Sequence, residues 1–228
     1  LGIACNMQSL TWKNSATLFQ NAIDTYPNSA IAYNNIGNHL RSTGETIKAI
    51  EHYDIALSLS RQYSRNTSDI KEGESKILAN LGSAQREQGD IHTAEREYSE
   101  ALRLNPKNAL ALQGTGLIFM QVGKDIMAVI YYEKAIEANP LLVTPYVNLG
   151  SVYVQRGDYD KAIEVLEQGL EINSFFPQAH FNLSSAYKKS GRNRESLESL
   201  ERAVKIEPRF VAARINLGIA YAERKKID

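Results

Sequence analysis

The residues of this 228-residue chain best suited to ligate a metal or attack a substrate are four histidines and one cysteine. A metal cluster would need the histidines to converge, and a nucleophilic thiol would need a base beside it. Their spacing provides neither. Set against an internal period of 34 residues, His39, His52, His92 and His180 fall at positions 10, 23, 18 and 4 of different units, so they do not stack into one site. Cys5 has no histidine or basic residue near it in sequence and, as the only cysteine, forms no internal disulfide. The glycines recur singly and build no phosphate-cradling loop. The expectation is a chain with no catalytic residues, no metal and no cofactor, and so not an enzyme.

One polar residue does recur in frame. Position 6 of the unit holds Asn35, Asn80, Asn148, Asn182 and Asn216, interrupted by Gly114. An asparagine amide offers a donor and an acceptor together, which matches a single peptide group. A column of such amides could hold an extended chain by its backbone without demanding a sequence. It could equally brace neighbouring helices.

The elements that would position this column follow from the period. In residues 142–176, Tyr146, Leu149, Gly150 and Tyr153 lie three or four apart, on one face of a helix. Ala162, Leu166 and Gly169 do the same in a second helix, and Gly157 lies between the two. Shifting by 34 residues in either direction finds small, aromatic and apolar residues at the same offsets, the mark of a helix–turn–helix repeat. Glycine at position 8 (Gly37, Gly82, Gly116, Gly150, Gly218) costs helix propensity of roughly 1 kcal/mol against alanine, so a partner helix must come too close for a Cβ. Alanine at position 20 (Ala49, Ala94, Ala128, Ala162) is expected to face it. Gly44, Gly89, Gly123, Gly157 and Gly191 stop the first helix as left-handed C′ residues, and Pro27, Pro106, Pro140 and Pro208 follow the second. The frame predicts helices near 12–25, 30–43, 46–63, 69–88, 91–104, 109–122, 125–138, 143–156, 159–172, 177–190, 193–206 and 211–225.

This pattern, with an aromatic at 4, Leu-Gly at 7 and 8, Tyr at 11, Ala at 20 and Pro at 32, resembles the tetratricopeptide repeat. The resemblance covers nearly the whole chain and implies an all-α fold, a right-handed α-solenoid whose first helices line a concave groove. The asparagine column is similar to that in the repeat domain of O-linked N-acetylglucosamine transferases. Besides Asn35, Asn80, Asn148, Asn182 and Asn216, the inward positions 2, 5, 9 and 12 include Leu117, Met120, Val147, Val154 and Phe181, an apolar strip with no packing role in the repeat pattern. Arg41, Arg86 and Lys188 supply basic residues at its edge. Chaperone-gripping repeats carry Lys at 5 and Arg at 6, which this chain lacks, so that specificity is dropped.

The array divides into a partial unit at 1–29, units at 30–63, 75–108, 109–142, 143–176 and 177–210, and a first helix at 211–228 that ends the given sequence as a cap or a truncated unit. Residues 64–74 are an 11-residue insertion, close to three helical turns, so flanking helices can lengthen without rotating their apolar faces. The stretch reads either as longer helices joined at Asn66-Thr67-Ser68, with Asp69 and Glu72 as a capping box, or as a loop across 62–74.

A formal net charge of zero argues against nucleic acid, and no apolar run is long enough to insert in a membrane. The charge is uneven: residues 186–228 hold 11 Lys or Arg against 6 Asp or Glu, leaving 15 against 20 in the rest. The leading expectation is a soluble, cytoplasmic scaffold that binds a peptide or partner helix in its groove. A second is the soluble tail of a membrane-bound glycosyltransferase that positions acceptor proteins, because 11–19 (TWKNSATLF) resembles the junction after the last span in such enzymes. A third is self-association through the terminal helices.

Overall fold

A computed structural model describes residues 21, 24–62 and 68–224. Eleven helices are delimited among the described residues, and no strand. They are α1 (Ala30–Ser42), α2 (Thr46–Gln62), α3 (Ser68–Glu87), α4 (Ile91–Leu104), α5 (Ala109–Gln121) and α6 (Asp125–Ala138). The remainder are α7 (Val143–Arg156), α8 (Tyr159–Ile172), α9 (Pro177–Lys189), α10 (Asn193–Ile206) and α11 (Val211–Arg224). Each begins and ends within about one residue of the boundary the 34-residue frame predicts. Of the helix expected at 12–25 only residues 21, 24 and 25 are described, and they are helical; Cys5, the 11–19 stretch, the Asn66-Thr67 turn and the last residues from 225 lie outside the described residues. The chain forms two compact units, 1–118 and 119–228, and the division falls within α5.

Local signals set the helix ends. The Ser29 side chain accepts from the Ala32 N–H to cap α1, and Asp90 accepts from the Thr93 N–H to cap α4. At the other end, Gly157 takes a φ of 82° and its N–H returns to the Tyr153 and Val154 carbonyls. Gly44, Gly89, Gly123 and Gly191 adopt the same left-handed conformation at equivalent points.

Packing within each hairpin departs from the expected meeting of small residues. At Gly37, Gly82 and Gly150 the group lying over the position-8 glycine is the large side chain at position 24. A Cβ built on Gly37 would lie 2.5 Å from the Tyr53 ring, on Gly82 2.9 Å from Tyr98, and on Gly150 2.5 Å from Leu166. Position 20 contributes the close backbone: the Ala94 carbonyl oxygen lies 3.2 Å from the same Gly82 point. Glycine on α1, α3 and α7 is thus a seat for a bulky residue from the second helix. Tyr53, Tyr98 and Leu166 are buried as a result, and so are Ala49, Ala94, Ala128 and Ala162.

The same ring explains the gap in the asparagine column. Gly114 receives Tyr98 from the preceding repeat, with a Cβ 2.2 Å from Cζ. Any side chain at 114 would collide with it.

In the first unit the described part of the insertion, residues 68–74, appears as added helix. α2 has 17 residues and α3 has 20, against 13 in α1 and 14 in α4. Residues 68–74 are therefore helical, and Arg61 on α2 pairs with Glu74 on α3 at 2.8 Å. The junction ahead of α5 is a buried polar knot. Asn108 donates to the Ser75 carbonyl and hydroxyl oxygens at 3.0 and 2.8 Å and accepts from the Ala111 N–H. Ser75 in turn donates to the Ala101 carbonyl. Every buried partner is satisfied, as burial requires.

In the second unit a tyrosine ladder joins successive repeats. Tyr153, Tyr187 and Tyr221, all at position 11, donate to Glu133, Glu167 and Glu201, each 20 residues earlier, at 3.5, 2.7 and 2.7 Å. Burial first, and then the bonded carboxylate, pushes the Tyr187 phenol up to about 12.

Two substitutions test the seating of position 24. Gly150→Leu must displace the Leu166 side chain, and Gly114→Ala must displace the Tyr98 ring. Each is expected to cost roughly 1–3 kcal/mol from overpacking, read as a lowered urea midpoint. An unchanged midpoint for both would break the packing argument.

Candidate functional site

The candidate residues lie on the first helices of the repeats, and their neighbours there decide what is left over for a ligand. In the first unit, Asn80 on α3 donates from Nδ2 to the Asn34 Oδ1 on α1, 2.9 Å away. In the second, Asn182 on α9 donates from Nδ2 to the Val147 carbonyl on α7 at 3.3 Å, while its Oδ1 accepts from Gln178. A position-6 amide therefore braces its helix against position 5 of the repeat before it. Asn35, Asn148 and Asn216 are each half-buried.

Position 5 is consequently an interface position, which corrects part of the expected apolar strip. Val147 is only 4% exposed and packs in a core cluster with Val143 and Ala179. The physical reason is that the following first helix sets its position-3 alanine against it. Phe181 is half-buried, with its ring 5.1 Å from that of Phe210. Met120 is also engaged, its sulfur accepting from the Tyr132 hydroxyl at 3.9 Å. Val154, and in the first unit Leu117, are half-buried at positions 12 and 9. On α11, where no further helix is described, Ile215 and Ile219 at positions 5 and 9 are 57% and 47% exposed.

The basic residues follow a rule that the sequence pattern had not suggested. Arg41 pairs through Nη1 with Glu87 at 3.2 Å, and Lys188 through Nζ with Glu223 at 3.0 Å. In both cases a position-12 base meets the position-13 acid of the next repeat. Arg86 makes no such pair among the described residues, and its Nε is buried with no acceptor. The missed signals were an acid 46 or 35 residues after a base, and a glutamate 20 residues before a tyrosine. Neither is visible within a single repeat.

Among the described residues no three His, Cys, Asp or Glu side chains are grouped to hold a metal ion. His180 is buried and takes over a latch that Tyr146 forms one repeat earlier. Tyr146 donates its hydroxyl to the Pro140 carbonyl at 3.1 Å, and His180 directs Nε2 to the Ser174 carbonyl at 2.9 Å. A carbonyl can only accept, so Nε2 carries the proton and Nδ1 is left buried without a partner. Burial, and to a lesser degree the Arg202 charge, hold its pKa below the ordinary value of 6.5.

Successive helix hairpins within each unit, with small residues seating large ones, define the class: a helical repeat protein. Models of the tetratricopeptide repeat match residues 28–107, 80–143, 131–164 and 177–210, and a model described as TPR repeat matches 150–191. The chain belongs to the tetratricopeptide repeat family. Among curated proteins, none matches it. Several solved structures do. YrrB, described as a TPR protein with an unusual peptide-binding site, is 23% identical over 88% of this chain and 98% of its own, with a TM-score of 0.55. The MamA protein is 24% identical over 80% of this chain and 94% of its own, at 0.56. TTC0263, a thermophilic TPR protein of Thermus thermophilus, is 18% identical over 85% of this chain and all of its own, at 0.67. At these identities the likeness is one of fold. No described helix is long and apolar enough to cross a membrane.

The His180 latch makes a pH prediction. A folded pKa below the unfolded value means the unfolded chain takes up the proton first. The stabilisation is complete above about pH 6.5 and is lost as pH falls from there through the lower folded pKa, by at most about 1.4 kcal/mol per pH unit. Urea midpoints from pH 7.5 to 5 should fall in the natural chain and fall less in His180→Phe. Parallel curves for the two would remove His180 as the cause.

Proposed function

We propose that this chain is a non-enzymatic protein-interaction scaffold that holds a peptide or a partner helix along its first helices. The single observation that carries the reading is apolar exposure where the repeat does not need it. Val154 and Leu117 stay half-exposed at positions 12 and 9, although the hairpin packing uses positions 8, 20 and 24 instead. In the second unit Val154, Met120 and Phe181 form the apolar part of the binding face, with Asn148 and Asn182 beside them. In the first unit the corresponding residues are Asn35, Asn80, Leu117, Arg41 and Arg86. Val147 acts beneath this face, as the support on which α9 rests. That YrrB is described as having a peptide-binding site agrees with the reading.

Asn182 has its amide hydrogens partly committed to the Val147 carbonyl, so it serves a ligand only through what remains of its hydrogen-bonding capacity. Apolar anchoring therefore dominates. One buried anchor side chain is worth roughly 1.5–3 kcal/mol, which gives weak and reversible binding.

The test begins with chains captured by the intact protein and identified by mass spectrometry, followed by titration of the ligand peptide. Val154→Asp should weaken that peptide about tenfold or more with little change in melting temperature. Phe181→Ser should weaken it comparably and also lower stability modestly, because the Phe210 ring loses its neighbour. Unaltered binding in both variants would move the site away from the first helices.

A further inference from the structure

The first unit carries two guanidinium groups and one carboxylate where its first helices meet. Arg41 on α1 and Arg86 on α3 occupy position 12 of consecutive repeats, in register with Asn38 and Ser83 at position 9. These two polar residues are already used by the seated rings. The Tyr53 hydroxyl donates to Asn38 Oδ1 at 2.8 Å, and the Tyr98 hydroxyl donates to Ser83 Oγ at 3.1 Å. Glu87 is taken by Arg41. For Arg86 the corresponding acid would sit at position 13 of the following repeat, and the sequence there has Gln121.

Arg86 is half-buried and hydrogen-bonds the Tyr98 hydroxyl, a neutral partner; its Nε is shut away from solvent without an acceptor, and the Arg41 charge also bears on Tyr98. Arginine does not shed its proton to relieve such a situation. A guanidinium partly withdrawn from water is stabilised by an opposing charge, and a carboxylate meets it with paired, charge-assisted hydrogen bonds. The site is one carboxylate short.

We propose that the Arg41–Arg86 pair is an anion subsite that receives the acidic side chain, Asp or Glu, of a bound peptide. The proposal rests on the reading of the first helices as a peptide-binding face and assigns its chemistry in the first unit. The second unit has Met120, Val154, Lys188 and Ala222 at position 12, with Lys188 held by Glu223, so the preference for an acid is local to the first unit.

The test is selection from a random hexapeptide library, acetylated and amidated so that the termini carry no charge, on the intact chain. Selected peptides should be enriched in Asp or Glu, and a selected acidic peptide should bind about tenfold or more weaker to Arg86→Gln. Glu87→Gln, which removes the competing carboxylate from Arg41, should strengthen it, a result that a folding defect cannot produce. Peptides selected without acidic enrichment, or an affinity indifferent to both variants, would overturn the subsite while leaving peptide binding itself standing. Recovery of no peptide would overturn both. Inorganic phosphate as competitor distinguishes a general anion site, if it displaces the peptide at equal concentration, from one shaped for a side-chain carboxylate; the former result would overturn the assignment.

Discussion

Everything in this chain depends on how closely the two helices of a hairpin approach. In three hairpins a tyrosine or leucine from the second helix lies on a glycine of the first, Gly37, Gly82 or Gly150, at a distance no β-carbon could tolerate. That single seating fixes the separation and the register of the pair. It also explains why glycine persists in the middle of a helix despite its cost of about 1 kcal/mol. Once the hairpin is fixed, its outer surfaces are fixed too, and the next hairpin can only dock in one register. The constraint even reaches across repeats: the Tyr98 ring lies over Gly114 and so removes the side chain that would have continued the asparagine column.

The second level of organisation is the coupling of each repeat to the next through polar groups at constant offsets. Asn80 and Asn182 reach back to position 5, and Tyr153, Tyr187 and Tyr221 reach back to a glutamate. Arg41 and Lys188 reach forward to an acid. Such arrays are stabilised by nearest-neighbour interfaces, so these links recur where sequence allows. They also consume functional capacity. An amide that braces two helices has fewer hydrogen bonds to offer a ligand, and an arginine paired internally is a weaker anion site than one left alone. The surface available for recognition is what the couplings leave unsatisfied.

His180 illustrates the same economy in the core. A histidine at position 4 could suggest chemistry, yet it stands where Tyr146 stands one repeat earlier and makes the equivalent bond to a carbonyl. Its remaining nitrogen is buried and unpartnered. The residue is a latch whose strength depends on being neutral.

The sequence by itself determined the repeat, its period, the helix boundaries and the turns, because glycine at a left-handed turn and apolar residues at helical spacing are local requirements. Gly157 and its counterparts could be read from their own repeat. It also determined which positions are small, since a glycine inside a helix announces a close neighbour. What it left open was which neighbour. That Gly150 seats Leu166 rather than meeting Ala162, that Val147 is covered by the next helix, and that Arg41 pairs with an acid while Arg86 meets only the Tyr98 hydroxyl were all decided by tertiary structure. The reason is physical: the repeat pattern encodes contacts within a hairpin, whereas exposure on the first helices is set by the hairpin that follows, at separations of 35 to 46 residues.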